Sequence, residues 1–85
     1  MKFCVLRTFQ DDYRKLPVEI QNRFDKAIRL FAANLRHPSL RVKKMKGTAG
    51  IWEASVTIAY RFTFNWEADV VTLRRIGTDS ILEKE

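Results

Sequence analysis

The sequence has little cysteine, histidine, glycine or proline: one, one, three and two residues, respectively. One cysteine cannot form an internal disulfide, and together with one histidine it cannot supply a structural zinc site. So few glycines and prolines exclude a collagen-like or low-complexity chain. No apolar run approaches the roughly 18 residues of a membrane span, and the short apolar start is not expected to be a signal peptide. These absences predict a reduced, cytoplasmic protein without a structural metal or a membrane partner.

The length and composition allow one small core. Of the 85 residues, 46% are hydrophobic and 31% are charged, which is the balance of a globular chain rather than a disordered one. A chain of this size buries too little surface for two cores. We therefore expect a single domain over residues 1–85.

Positive charge is concentrated in the first half of the chain. The whole sequence has a formal net charge of +6; residues 1–46 hold 12 basic and 4 acidic side chains, and residues 47–85 hold 4 and 6. The densest segment has no acidic residue and contains Arg36, Arg41, Lys43, Lys44 and Lys46. This segment predicts contact with nucleic acid or with an acidic protein, unless it is only a solvated surface.

The first half predicts a strand and two helices. Residues 2–7 carry apolar side chains on both alternating faces, which is typical of an inner strand covered on two sides. Thr8 is the expected N-cap of a short helix, and Pro17 is expected to open a longer one. On the longer helix, apolar residues recur at helical spacing: Ile20, Phe24, Ala27, Ile28, Phe31 and Leu35. Residues 37–39 are expected to end that helix.

The second half predicts an antiparallel meander of three or four strands. The expected strands are residues 40–45, 51–58, 60–66 and 70–76, with a break at Gly77 and a short helix or tail over residues 78–84. Phe62, Phe64 and Trp66 form an aromatic face that should pack on the long helix. The predicted fold class is α+β: an N-terminal strand, a helical hairpin and this meander.

The polar face of the sheet is the expected functional surface. Arg61 lies among apolar residues on a central strand, where a half-buried guanidinium needs an anion or other acceptors. Arg74 and Arg75 are adjacent on a strand, so at least one should reach the same side. Together with Lys44 and Lys46 they would line a groove for a phosphodiester backbone. Glu53 is either a salt-bridge partner of one arginine or a catalytic carboxylate.

Other motifs in the sequence give little indication of function. The sequence lacks the glycine-rich phosphate-binding loops of nucleotide enzymes. Cys4 is expected to be a small buried hydrophobic residue, and His37 a helix-terminal residue rather than a ligand or a base. No nucleophile–histidine pair is credible with these two residues in those places.

Four short motifs follow one another along the chain: Lys44-Met45-Lys46-Gly47, Ile51-Trp52-Glu53-Ala54, Tyr60-Arg61-Phe62-Thr63-Phe64 and Arg74-Arg75-Ile76-Gly77-Thr78. None is specific by itself. In this order and spacing, and over essentially the whole chain, they resemble the RelE/ParE superfamily of bacterial toxins from toxin–antitoxin modules.

The resemblance implies a toxin that a cognate antitoxin protein neutralises, of the kind associated with plasmid stabilisation. For the RelE-like branch it implies an mRNA interferase, an endoribonuclease that cuts mRNA on the ribosome and inhibits translation without a metal or another cofactor. Arg61 then matches the phosphate-stabilising arginine, and Lys44 and Lys46 match positions that contact RNA or assist proton transfer. RNA contacts are further expected from Arg41, Lys43, Arg74 and Arg75.

The chain departs from the family pattern in two places. Ser55 stands where the pattern has arginine, and Asp79-Ser80 stands where it has His-Asp. Asp79 becomes the candidate acid, although a neighbouring arginine opposes protonation of a carboxylate. The alternatives are a ParE-like toxin that binds DNA gyrase and a catalytically weakened relative that mainly binds its antitoxin.

Overall fold

Five strands form one mixed sheet beside two helices in a computed structural model of the chain, which describes residues 1–83. The elements are β1 (Lys2–Val5), α1 (Arg7–Arg14), α2 (Val18–Ala33), β2 (Lys43–Lys44), β3 (Ile51–Ser55), β4 (Tyr60–Glu67) and β5 (Val70–Thr78). The strand order is β1-β5-β4-β3-β2, with β1 parallel to β5 and the other pairs antiparallel. The predicted α+β class is confirmed, with β1 added to a four-stranded meander.

The core lies between α2 and the aromatic face of the sheet. Phe31, Phe62 and Phe64 are completely buried. The ring of Phe31 lies 5.8 Å from that of Phe62 and 5.0 Å from that of Phe64, both edge to face. The predicted helical stripe and aromatic strand are therefore confirmed as the two halves of one core.

The prediction that residues 2–7 form an inner strand is wrong. Within residues 1–83, β1 pairs with β5 alone, and all four of its residues are exposed. Cys4 is exposed too, and not a core residue. A strand with apolar side chains on both faces can also lie at the edge of a sheet. Here Phe3 packs at the margin of the core, with its ring 5.9 Å from that of Phe31.

Helix α1 begins without the predicted cap. Its N-cap residue is Leu6, and the hydroxyl of Thr8 instead donates to the carbonyl of Arg74, at 2.9 Å. The Asp12 carboxylate accepts a hydrogen bond from the backbone N–H of Ile76, at 3.2 Å. Side chains of α1 thus form hydrogen bonds with backbone groups of β5 beyond the point where β1 ends. Helix α2 begins at Val18, one residue after the predicted Pro17.

Two predicted strands are shorter in the structure. The 3-10 turn Pro38–Leu40 and the left-handed backbone of Arg41, with φ at 49°, occupy the start of the expected strand 40–45. β3 ends at Ser55 because the hydroxyl of Thr57 accepts the backbone N–H groups that follow it and closes a turn.

The last predicted strand is longer in the structure. Gly77 does not break β5, because it pairs with Arg61 across the sheet. The segment predicted as a short helix or tail is a 3-10 turn, Asp79–Glu83, and residue 84 lies outside the described residues.

Tyr13 joins the two helices through a hydrogen bond. Its hydroxyl donates to Asp25 Oδ1 at 2.9 Å, and burial together with this bond raises the pKa of Tyr13 above 10.0. A raised folded-state pKa means that the neutral phenol stabilises the fold below pH 10, and that this contribution is lost as the pH rises through the raised value.

Replacement of Tyr13 by phenylalanine should lower the free energy of unfolding by about 1 kcal/mol at neutral pH. The difference from the unmodified chain should shrink above pH 10, where the phenol ionises. Urea titrations of both proteins at neutral and alkaline pH measure it. A difference that grows with pH would contradict the assigned hydrogen bond.

Candidate functional site

Arg61 lies on β4, on the side of the sheet opposite the aromatic core. Its Nη1 donates to Glu53 Oε1 at 3.1 Å, and its Nε donates to Asp79 Oδ1 at 2.9 Å. The side chain is 21% exposed. The predicted need of this guanidinium for acceptors is confirmed. Within residues 1–83, these two hydrogen bonds use only part of the five N–H donors of the guanidinium, so donors remain for an anion.

Glu53 is a buried carboxylate between two cations. Its side chain is 8% exposed, and its Oε1 lies 3.1 Å from Arg61 Nη1 and 4.0 Å from Lys43 Nζ. Of the two roles that the sequence left open, the geometry supports the salt bridge. Because a buried carboxylate is costly without a partner, the pair fixes Arg61 relative to β3.

Asp79 reaches Arg61 from the 3-10 turn Asp79–Glu83. Its side chain is 71% exposed. The turn is packed down by Ile81, whose Cγ2 lies 2.8 Å from the position that a Cβ on Gly77 would take. A larger residue at position 77, which is in register with Arg61, would therefore displace Ile81. In this arrangement Asp79 is a hydrogen-bond acceptor, which does not fit the expected proton donor.

The expected convergence of Lys44 with Arg61 is wrong. Lys43 is in register with Glu53, whereas Lys44 is in register with Trp52 on the aromatic side. Successive strand residues point to opposite faces, so Lys43 accompanies Arg61 and Lys44 does not. The Lys44 Nζ lies 5.7 Å from the centroid of the Trp52 ring instead. Two consecutive lysines carry no sequence signal for their register, and a shift of one residue exchanges their faces.

The other two cations of the basic segment lie apart from Arg61. Arg41 follows the 3-10 turn Pro38–Leu40, and Lys46 lies in the connection between β2 and β3. Both are exposed, and within residues 1–83 neither makes a hydrogen bond or ion pair with Arg61.

A β-bulge separates the two arginines of β5. Thr63 pairs with Arg75 and Phe64 with Leu73, which leaves Arg74 as the extra residue. Arg74 Nη1 donates to Asn65 Oδ1 at 2.8 Å, on the Arg61 side of β4. The prediction that at least one arginine reaches this side is therefore confirmed.

Arg75 is held by helix α1. Its Nε and Nη2 donate to the two carboxylate oxygens of Asp12, at 2.7 and 3.0 Å. No spacing in the sequence marks Asp12 as the partner of Arg75, because the two residues lie 63 positions apart. The ion pair places Arg75 at the junction of the sheet with α1.

His37 caps the turn that follows α2. Its Nδ1 accepts the backbone N–H of Ser39 at 3.2 Å.

Among residues 1–83, no three histidine, cysteine or acidic side chains are grouped to hold a metal ion. No helix in that range combines the length and the apolar character needed to cross a membrane.

Similarity to known proteins appears at the level of structure. No family model matches the chain, and no curated protein sequence matches it. YafQ from E. coli superposes with a TM-score of 0.81 at 16% identity, over 95% of this chain and 96% of YafQ. A YoeB/ParE toxin from Agrobacterium tumefaciens gives 0.76 at 18% identity, over 92% and 98%. A chain of the RelB–RelE antitoxin–toxin complex from Methanococcus jannaschii gives 0.72 at 20% identity, over 95% of each chain.

In each superposition the similarity extends over nearly the whole length of both chains, at low sequence identity. The chain therefore has the RelE-like toxin fold.

Proposed function

We propose that this protein is the toxin of a type II toxin–antitoxin module and cleaves mRNA on the ribosome. The observation that carries the proposal is the position of Arg61: a guanidinium held on the polar face of a RelE-like fold, with donors left for a phosphate. The solved structures of similar fold include a toxin bound to its antitoxin, which supports a cognate antitoxin as partner. Ribosome-bound mRNA as substrate places the activity in the cytoplasm.

The proposed reaction is an attack of a ribose 2′-oxygen on the adjacent phosphorus. The bond from phosphorus to the 5′-oxygen breaks, which leaves a 2′,3′-cyclic phosphate and a 5′-hydroxyl. Arg61 donates to the non-bridging oxygens, where negative charge grows in the transition state. No metal or other cofactor is part of this scheme.

Two other side chains on this face fit the proton transfers. Asp79, an exposed carboxylate beside Arg61, takes the proton of the 2′-hydroxyl. Lys43 is 66% exposed, and its ammonium can give a proton to the leaving 5′-oxygen. Glu53 is buried and acts through Arg61, so it is a positioning residue. Arg41, Lys46, Arg74 and Arg75 remain proposed RNA contacts.

Inducing the chain in bacteria without an antitoxin tests the proposal. Pulse labelling should show that incorporation into protein stops within minutes, while incorporation into DNA continues. Early loss of DNA synthesis would favour a gyrase-binding toxin of the ParE kind. No loss of either would favour a weakened relative that only binds its antitoxin. An Arg29→Ala variant, which loses one positive charge on the exposed side of α2, is the control for nonspecific effects of charge. Its induction should stop protein synthesis as the unmodified chain does.

A further inference from the structure

The aromatic side of the sheet carries a second group of cations beside both tryptophans of the chain. The rings of Trp52 and Trp66 lie 5.1 Å apart, at an angle of 61°. The Arg36 guanidinium carbon lies 5.2 Å from one ring centroid and 5.7 Å from the other, and Lys44 Nζ lies 5.7 Å from that of Trp52. We refer to these four residues as the indole cluster.

The two cations of the indole cluster differ from those around Arg61 in their charge balance. Within residues 1–83, neither Arg36 nor Lys44 forms an ion pair with a carboxylate, whereas Arg61 and Lys43 both contact Glu53. Glu53 follows Trp52 on β3 and therefore points to the other side of the sheet. The indole cluster thus offers uncompensated positive charge that a polyanion can neutralise.

The geometry of the cluster suits a nucleobase as well as a phosphate. Trp52 stacks on Phe64 at 6.5 Å with nearly parallel rings, which fixes the orientation of its indole. Arg36 is exposed and lies over both indoles, so its planar guanidinium extends the aromatic surface. Bases of single-stranded RNA stack on aromatic rings and on arginine planes, and a nearby ammonium binds phosphate as a point charge. An acidic peptide would use the charge but not the stacking surface.

We propose that the indole cluster binds the mRNA strand next to the cleaved phosphate. β2 is one of the two edge strands of the sheet, and Lys43 and Lys44 point to the two opposite faces of the sheet. A strand of RNA that crosses this edge would contact the Arg61 side with one part and the indole cluster with the next. The choice of mRNA rests on the proposed function, but binding to the cluster requires neither a ribosome nor cleavage.

Tryptophan fluorescence tests the proposal directly, because both tryptophans of the chain belong to the cluster. Titration of the purified protein with a short single-stranded oligouridylate should quench the emission to saturation. Arg36→Ala should weaken binding about tenfold, through the loss of one stacking contact. Arg36→Lys should restore part of the affinity, because it keeps the charge and loses the plane. Arg29→Ala, which removes the same charge from α2, should bind like the unmodified protein.

The salt dependence gives a second readout. Because Arg36 is expected to neutralise one phosphate, Arg36→Ala should make the slope of the logarithm of the binding constant against that of salt concentration shallower by about 0.7. Equal affinity of the Arg36→Ala and Arg29→Ala variants would overturn the proposal. Tighter binding of a polyglutamate peptide than of oligouridylate would overturn it in favour of an acidic protein partner. Arg36-dependent RNA binding by a chain that cuts no mRNA would leave this inference standing and refute only the proposed function.

Discussion

Replacement of Arg61 by alanine is expected to abolish the proposed mRNA cleavage and any growth arrest that follows from it. The change removes the guanidinium that would neutralise the phosphate oxygens in the transition state. Loss of one preorganised donor of this kind lowers a rate about a hundredfold or more. Cleavage of a defined mRNA in a purified translation system measures the effect.

The structure also provides the control for this variant. Alanine at position 61 leaves Glu53 buried beside only a distant Lys43, and an orphaned buried charge destabilises the fold. A double variant, Arg61→Ala with Glu53→Gln, removes the orphaned charge and should recover stability without recovering cleavage. Cleavage by that folded double variant at the original rate would refute the assignment of Arg61.

Replacement of Phe31 by alanine is expected to have the largest effect on stability. The side chain is completely buried and meets Phe62 and Phe64 edge to face. Truncation of a buried phenylalanine costs about 3–5 kcal/mol, a large part of the roughly 5–15 kcal/mol that stabilises a typical domain.

Leu30→Ala is the matched control, since this neighbour on α2 is 37% exposed and should cost much less. Chemical denaturation of the two variants compares them. Similar losses from both would mean that α2 does not pack on the sheet through Phe31.

The core could be predicted from the sequence because periodicity alone determines it. Phe24 and Phe31 repeat at helical spacing, and Phe62 and Phe64 alternate along a strand, so each element had one possible buried face. The position of β1 could not be predicted in this way. Its apolar residues show that it joins a sheet, but they do not show on how many sides it has a neighbour.

The site was predicted only in part, for a related reason. Arg61 could be singled out because its apolar neighbours place a charge at the centre of a sheet. The partners of the basic segment depend on register, and one residue decides whether Lys43 or Lys44 shares the face of Arg61. The bulge at Arg74 and the reach of α1 to Arg75 depend on contacts between distant parts of the chain, which no local pattern encodes.

The chemistry of the RNA ends in induced cells is the decisive test of the proposed cleavage. We expect that mRNA recovered from ribosomes after induction carries new ends with 2′,3′-cyclic phosphates and 5′-hydroxyls, and that these ends are missing with Arg61→Ala. Intact mRNA in cells whose growth has stopped, or the same ends with Arg61→Ala, would contradict it.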